Sequence, residues 1–324
     1  MRRIISIILL VCCGAPAAGD EVPVDAFPLR SHNPVLQVFG LPAFQTHELV
    51  MPGGIDFSIG YDVANDADDA DRPPEFLIID AETQVLNLAI RRRFGERFEL
   101  GLDIPFVRHS GGSFDSLIYN FHDFIGLSNS MRDGPDDQFR LLFERDGLTL
   151  LDLSSPESGI GDVQLTGAMR FGSFALRGSV KAPTGDAAKL TGSGAMDVSL
   201  GIHGGGTTTL WDRDLSFSGF AGVLALGDGD VMPEFQRSAV PYGGAALRWH
   251  VTQRLALATQ LYAQGPYFDI DLDELGGNTF QLAFGGDYVF PRQKLLLRVA
   301  IAEDIAAAAA PDFALHLSIR RYGR

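Results

Sequence analysis

Cysteine is nearly absent from this chain. Cys12 and Cys13 are the only two in 324 residues, and both lie in an amino-terminal stretch expected to be cleaved. The mature chain therefore has neither a disulfide nor a thiolate metal site. Lysine is scarce, and the charge is one-sided: Lys and Arg total 26 against 41 for Asp and Glu, a net charge of −15. That balance argues against nucleic acid as a partner, because phosphate binding needs a cationic surface. Long apolar runs are missing as well. Beyond the amino terminus no run approaches the ~18 residues that a membrane helix requires.

What is present begins with a short basic start, Met1-Arg2-Arg3, an apolar run from Ile4 to Val11, and small residues at Ala15-Pro16-Ala17. This layout predicts a secretory signal peptide over residues 1–19, its apolar run too short to span a bilayer. Residues 20–54 are irregular and punctuated by proline, as in FPLRSHNPVLQVFGLPAF. They read as an ordered periplasmic lead-in or a plug.

From Ile55 to the carboxyl terminus one syntax recurs. Ile55, Phe57, Ile59, Tyr61 and Val63 alternate with Asp56, Ser58, Gly60 and Asp62. Phe98, Leu100, Leu102, Ile104 and Phe106 alternate with Arg97, Glu99, Gly101, Asp103 and Pro105. The same period of two returns around Leu165, Leu176, Leu200, Phe217, Leu247, Leu257, Phe284, Leu297 and Leu317. Period two gives each strand one apolar and one polar face. Short turns, such as Gly172-Ser173 and Thr252-Gln253, mostly take turns with longer loops, such as 109–136, 183–194, 227–238 and 265–277. That rhythm is the one bacterial outer-membrane barrels show.

The predicted fold is all-β: a single antiparallel transmembrane β-barrel over residues 55–324, in the outer membrane of a Gram-negative bacterium. If Phe139–Glu144 and Leu148–Leu153 form a hairpin in the wall, the count is about fourteen strands, with twelve as the alternative. Closure is the only way a sheet satisfies its edges in lipid. The apolar face then meets lipid, the polar face lines a wet lumen, and aromatics near strand ends, such as Phe94, Phe98, Phe171 and Phe174, form interfacial girdles. A soluble β-sandwich is the competing architecture, with the same alternation turned inside out. Lumen candidates are Glu99, Asp103, Asp162, Arg170, Arg248 and Arg298, with Asp56, Asp62, Gln164, Asp197, Gln260 and Asp287 beside them. Both signs are present, which suits a hydrated pore for small solutes without strong ion choice.

Several motifs look familiar: His109-Ser110-Gly111-Gly112-Ser113-Phe114-Asp115, Asn120-Phe121-His122-Asp123-Phe124, Ser158-Gly159-Ile160-Gly161-Asp162, Pro183-Thr184-Gly185-Asp186 and the lead-in Leu29-Arg30-Ser31-His32-Asn33-Pro34. On these the chain resembles a bacterial domain-of-unknown-function family of predicted outer-membrane β-barrels, over nearly all of its mature length. The resemblance implies location and fold. It supplies no activity and no catalytic residue.

Within the long loop, Phe114, Leu117, Ile118, Phe121 and Ile125 switch to i, i+3, i+4 spacing, which predicts a short amphipathic helix. Ser113 is a suitable N-cap, and Asp115, Tyr119 and His122 form a polar stripe. Phe114, Asp115, Leu117, Tyr119, Phe121 and His122 are the candidates for a constriction at the barrel mouth. Adjacent helical residues diverge by about 100°, so Asp123 does not orient His122 for catalysis. No nucleophile elbow accompanies Ser113 or Ser116, and no matching strand-borne Ser-His spacing is found. The chain reads as a non-enzyme, a passive channel or transporter, with a barrel-borne lipid hydrolase or a structural barrel without flux as alternatives.

The acidic run Asn65 to Asp71 reads as an outer loop tip. It fails as an EF-hand, because the sixth position counted from Asp66 is Asp71 and the twelfth is Leu77. No metal site and no cofactor is expected. Outer-membrane lipid and lipopolysaccharide are the expected partners, with divalent cations bridging to acidic loops, together with the barrel-assembly machinery.

Overall fold

The computed structural model describes residues 26–112, 138–305 and 311–323. Fifteen strands follow one another: β1 Ile55–Arg72, β2 Glu75–Phe94, β3 Phe98–Ser110, β4 Arg140–Arg145, β5 Leu148–Leu153, β6 Glu157–Ile160, β7 Gln164–Phe171, β8 Phe174–Lys181, β9 Asp197–Leu210, β10 Arg213–Ala225, β11 Ala239–His250, β12 Leu255–Gln264, β13 Thr279–Phe290, β14 Leu295–Asp304 and β15 Phe313–Arg321. All pairings are antiparallel, and β15 pairs with β1 to close the sheet. Besides the strands, the described residues hold a 3-10 turn at Ala187–Lys189 and one helical turn, Asp273–Gly276.

The closed wall has twelve strands, not fourteen. Residues 140–153 do form a hairpin, but it does not enter the ring. β2 is 20 residues long, and β3 covers only Glu82–Phe94 of it. The uncovered outer edge, Glu75–Asp80, is taken by β4, which carries β5 outward. β6 likewise covers Phe106–His109 of β3, while β7 pairs with Phe98–Asp103. β4 and β6 cap edges of β2 and β3 that would otherwise be bare, and β5 extends the sheet from β4. Twelve strands at ~4.8 Å spacing and a tilt near 40° give a backbone diameter of roughly 24 Å.

The acidic run is another correction. Asn65–Asp71 is not a loop tip but the outer part of β1, in register with Phe76–Glu82 of β2. A Pro73-Pro74 turn joins the two strands. Its side chains do not alternate in polarity, so pairing with β2, not periodicity, makes it a strand. Residues 204–214 are also mostly strand: β9 runs to Leu210, and Trp211-Asp212 makes the turn.

The apolar phase faces out. Phe57, Leu88, Leu100, Leu165, Leu200, Phe217, Leu257, Phe284, Val299 and Ile319 are exposed around the belt. A sandwich would have buried this face. Phe94, Phe98, Phe171, Phe174 and Phe290 crowd the short-turn end. Trp211, 76% exposed, meets Trp249 edge-on there at 5.8 Å. Amphipathic aromatics favour this interfacial depth. Tyr322, out of step with the outer face, turns inward against Val289 and Leu296.

The buried core lies inside the barrel, toward the long-loop end. Val35, Leu36, Val38, Phe39, Leu41 and Phe44 pack there against Leu77, Leu141, Phe143, Leu190, Phe220, Tyr262, Phe268 and Leu272.

Candidate functional site

Residues 26–54 run through the lumen. Prolines at 28, 34, 42 and 52 keep most of this segment from joining a ladder, so barrel side chains answer its backbone groups. Gln260 makes two bonds to Phe27, accepting from its N–H at 2.9 Å and donating to its carbonyl at 3.0 Å. Asn33 donates to Asp66 near the long-loop end, at 2.7 Å. The chain then turns back. Gly40 N–H donates to Asp197 at 2.8 Å, and Gln164 donates to the Gly40 carbonyl at 2.9 Å. Tyr262 donates to the Pro42 carbonyl at 2.9 Å. Arg177 holds the Thr46 and Glu48 carbonyls at 2.7 and 2.6 Å. Val50 N–H donates to Glu99 at 2.7 Å, close to where β1 begins.

The lumen candidates are placed as follows. Glu99 pairs with Arg177 at 3.0 Å, and Asp103 with Arg91 at 3.1 Å. Asp162 takes the buried Lys181 ammonium at 2.6 Å, and Asp197 shares it at 3.1 Å. Arg170 reaches Glu48 of the internal segment at 2.7 Å. Arg248 and Arg298 converge on Asp287, all three nearly out of solvent. Arg298 also donates to the Ala26 carbonyl at 2.6 Å. A hydrogen bond from His47 holds the Glu48 carboxyl below its ordinary range; burial opposes this and Arg170 adds to it.

Of these groups, Glu48, Arg91, Glu99, Asp103, Asp162, Arg170, Arg177 and Arg298 line a cavity of about 1410 Å³. It reaches the short-turn end, where Asp212–Asp214, Thr252–Arg254, Pro291 and Arg292 line it. Among the described residues, its lining carries ten arginines and eight carboxylates. Within this lining the sign of the chain's charge balance is reversed. Toward the long loops, the apolar packing of Val35 to Phe44 lies across the lumen.

Two of the quoted motifs clasp each other. Asp162 accepts from Gly185 N–H at 2.8 Å, and Thr184 donates to the Gly161 carbonyl at 2.8 Å. His109 is buried between Thr83 and the Leu190 carbonyl, at 3.0 and 2.9 Å. The constriction candidates Phe114, Asp115, Leu117, Tyr119, Phe121 and His122 lie outside the described residues. So does the Asn120–Phe124 motif.

Sequence reasoning missed Arg177 and Lys181, although both stand on the polar phase of β8. It also passed over His316 and Ser318 on β15. The closure partner of His316, Asp62, is 254 residues away, so no local spacing signals the pair.

A sequence profile described as "Protein of unknown function (DUF3187)" matches residues 3–322. The chain belongs to the DUF3187 family. No curated protein matches it. Among solved structures, the DUF3187 chain is similar to the COG4313 outer membrane channel from Pseudomonas putida F1, at 17% identity and a TM-score of 0.56, over 84% of this chain and 97% of that one. It also matches the Ralstonia pickettii toluene transporter TbuX, at 7% identity and a TM-score of 0.42, over 85% and 90%. A Pseudomonas aeruginosa FadL homologue matches at 10% identity and a TM-score of 0.39, over 91% and 99%. The first likeness supports the barrel fold.

Proposed function

We propose that this protein is an outer-membrane channel for small hydrophilic solutes, held shut by residues 26–54. One observation carries the reading: a charged cavity of about 1410 Å³ runs up from the short-turn end and stops at the internal segment. A barrel kept only for structure has no need of a polar interior of that size. Short turns face the periplasm in such barrels, so the cavity is a periplasmic vestibule. Its surplus of arginine over carboxylate favours small anions, modestly, because most of these charges are paired.

In this reading residues 1–19 direct export and the barrel-assembly machinery inserts the chain. The apolar belt meets lipid, and acidic groups at the long-loop end meet lipopolysaccharide through divalent cations. Planar-bilayer recording tests the channel. Wild type should conduct weakly, and a variant lacking residues 26–50 should conduct far more. Its reversal potential in a salt gradient should favour anions. Equal conductance in both would refute closure by the segment, and cation preference would refute the assigned solute sign.

A further inference from the structure

We propose that Asp62, His316 and Ser318 form a hydrolytic triad inside the barrel, acting on small water-soluble carboxylic esters. His316 Nδ1 is 2.7 Å from Asp62 Oδ1, and His316 Nε2 is 2.9 Å from Ser318 Oγ. One tautomer satisfies both contacts: Nδ1–H donates to the carboxylate, and Nε2 accepts from the hydroxyl. The network assigns these proton positions. This is the nucleophile–base–orienter relationship that recurs on unrelated folds.

The sheet sets the geometry. His316 and Ser318 share the inner face of β15 two residues apart, and Asp62 is the register partner of His316 across the closing seam. A site built on strands is held more tightly than one on loops. Asp62 and His316 are almost fully buried, and all three residues line the large cavity. Gly60 is the register partner of Ser318. A Cβ there would stand 3.5 Å from His316 Cε1 and 3.9 Å from Ser318 Cβ, so glycine keeps this face of the pair open. Arg298 stands opposite Ser318 on β14, with its guanidinium turned to Asp287 and the Ala26 carbonyl.

Orientation selects the substrate. Leu317 and Ile319, 40% and 52% exposed, point toward the bilayer. Ser318 therefore points away from it, and a phospholipid in the membrane cannot present its ester to the hydroxyl. The ester must enter by the short-turn mouth and fit a polar cavity. Ser318 Oγ attacks the carbonyl carbon while His316 Nε2 takes its proton. The C–O bond to the leaving alcohol breaks, and the alcohol receives that proton. A water, deprotonated by His316, then attacks the acyl-serine and releases the acid, restoring the Ser318 hydroxyl. Asp62 is a positioning residue: it fixes the tautomer of His316.

The test uses the full barrel in detergent, with heat-modifiable migration confirming that each variant is folded. A fluorophosphonate probe should label wild type at Ser318, located by peptide mass spectrometry. Hydrolysis of p-nitrophenyl acetate should fall about 10³-fold or more in Ser318→Ala and in His316→Gln. Asp62→Asn should lower the rate and shift its pH profile, which a merely structural role would not do. Failure of folded wild type to label at Ser318 would overturn the proposal without any variant. Hydrolysis unchanged in Ser318→Ala would also overturn it. Turnover of p-nitrophenyl palmitate as fast as the acetate would overturn the assigned substrate class. None of these results bears on conductance, so the channel reading stands or falls separately.

Discussion

Gly40 rests directly on Asp197. Its N–H donates to the carboxylate at 2.8 Å, and a Cβ built on it would lie 2.9 Å from the Asp197 Cβ and 3.1 Å from the Lys181 Cβ. Only a residue without a side chain lets the internal segment approach β8 and β9 so closely. Gly40→Val should lift the segment from the wall. Bilayer recordings should then show larger and more frequent openings, while heat-modifiable migration confirms an intact barrel. Conductance identical to wild type would mean that this contact does not hold the lumen shut.

Asp287 answers two guanidinium groups, those of Arg248 and Arg298, in a nearly dry place. Removing the shared carboxylate leaves both cations uncompensated. Asp287→Ala should cost about 3–5 kcal/mol, the usual penalty for breaking a buried ion pair. Urea unfolding of the barrel in detergent micelles measures it. A loss under about 1 kcal/mol would place the pair in water, as for a surface bridge.

Val299 sits midway along β14, with Gly286 and Leu317 as its register partners, and is 44% exposed on the belt. If that belt meets hydrocarbon, Val299→Arg should destabilise the barrel in lipid by about 2–4 kcal/mol. Refolding titrations into vesicles read this directly. A neutral effect would put this position in water.

Glu48 supplies a pH dependence. Its carboxyl is held below the ordinary value, so the folded state gains from its ionisation. That gain is present above the unfolded carboxylate range and is lost as pH falls through the lowered value. Protonation would loosen the tie to Arg170. Acidification should therefore raise channel activity, and Glu48→Gln should start higher and respond less. An identical pH response in the variant would remove Glu48 from the closure.

The wall was legible because lipid and water demand opposite faces, and period two records that demand residue by residue. Strand number was not legible. Residues 140–153 read as a wall hairpin, two short apolar strands about an Asp-Gly turn; only the length of β2 sends them to an edge outside the ring. Asp66–Asp71 carries no alternation, yet it is strand because Phe76–Glu82 pairs with it. At the candidate site the polar phase gave the inward residues, such as Glu99 and Arg298. Their partners followed from register and from the path of residues 26–54, which local sequence does not encode. The meeting of Asp62 with His316 exists only because the first and last strands join.

The internal segment rises from Ala26, beside Arg298 near the start of β14, reaches Asp66, and descends to Gly54 at the foot of β1. Both of its legs hang toward the same mouth. Among the described residues both legs leave by that one side, so a pull from it would draw the finger out whole and leave the surrounding hoop unbroken.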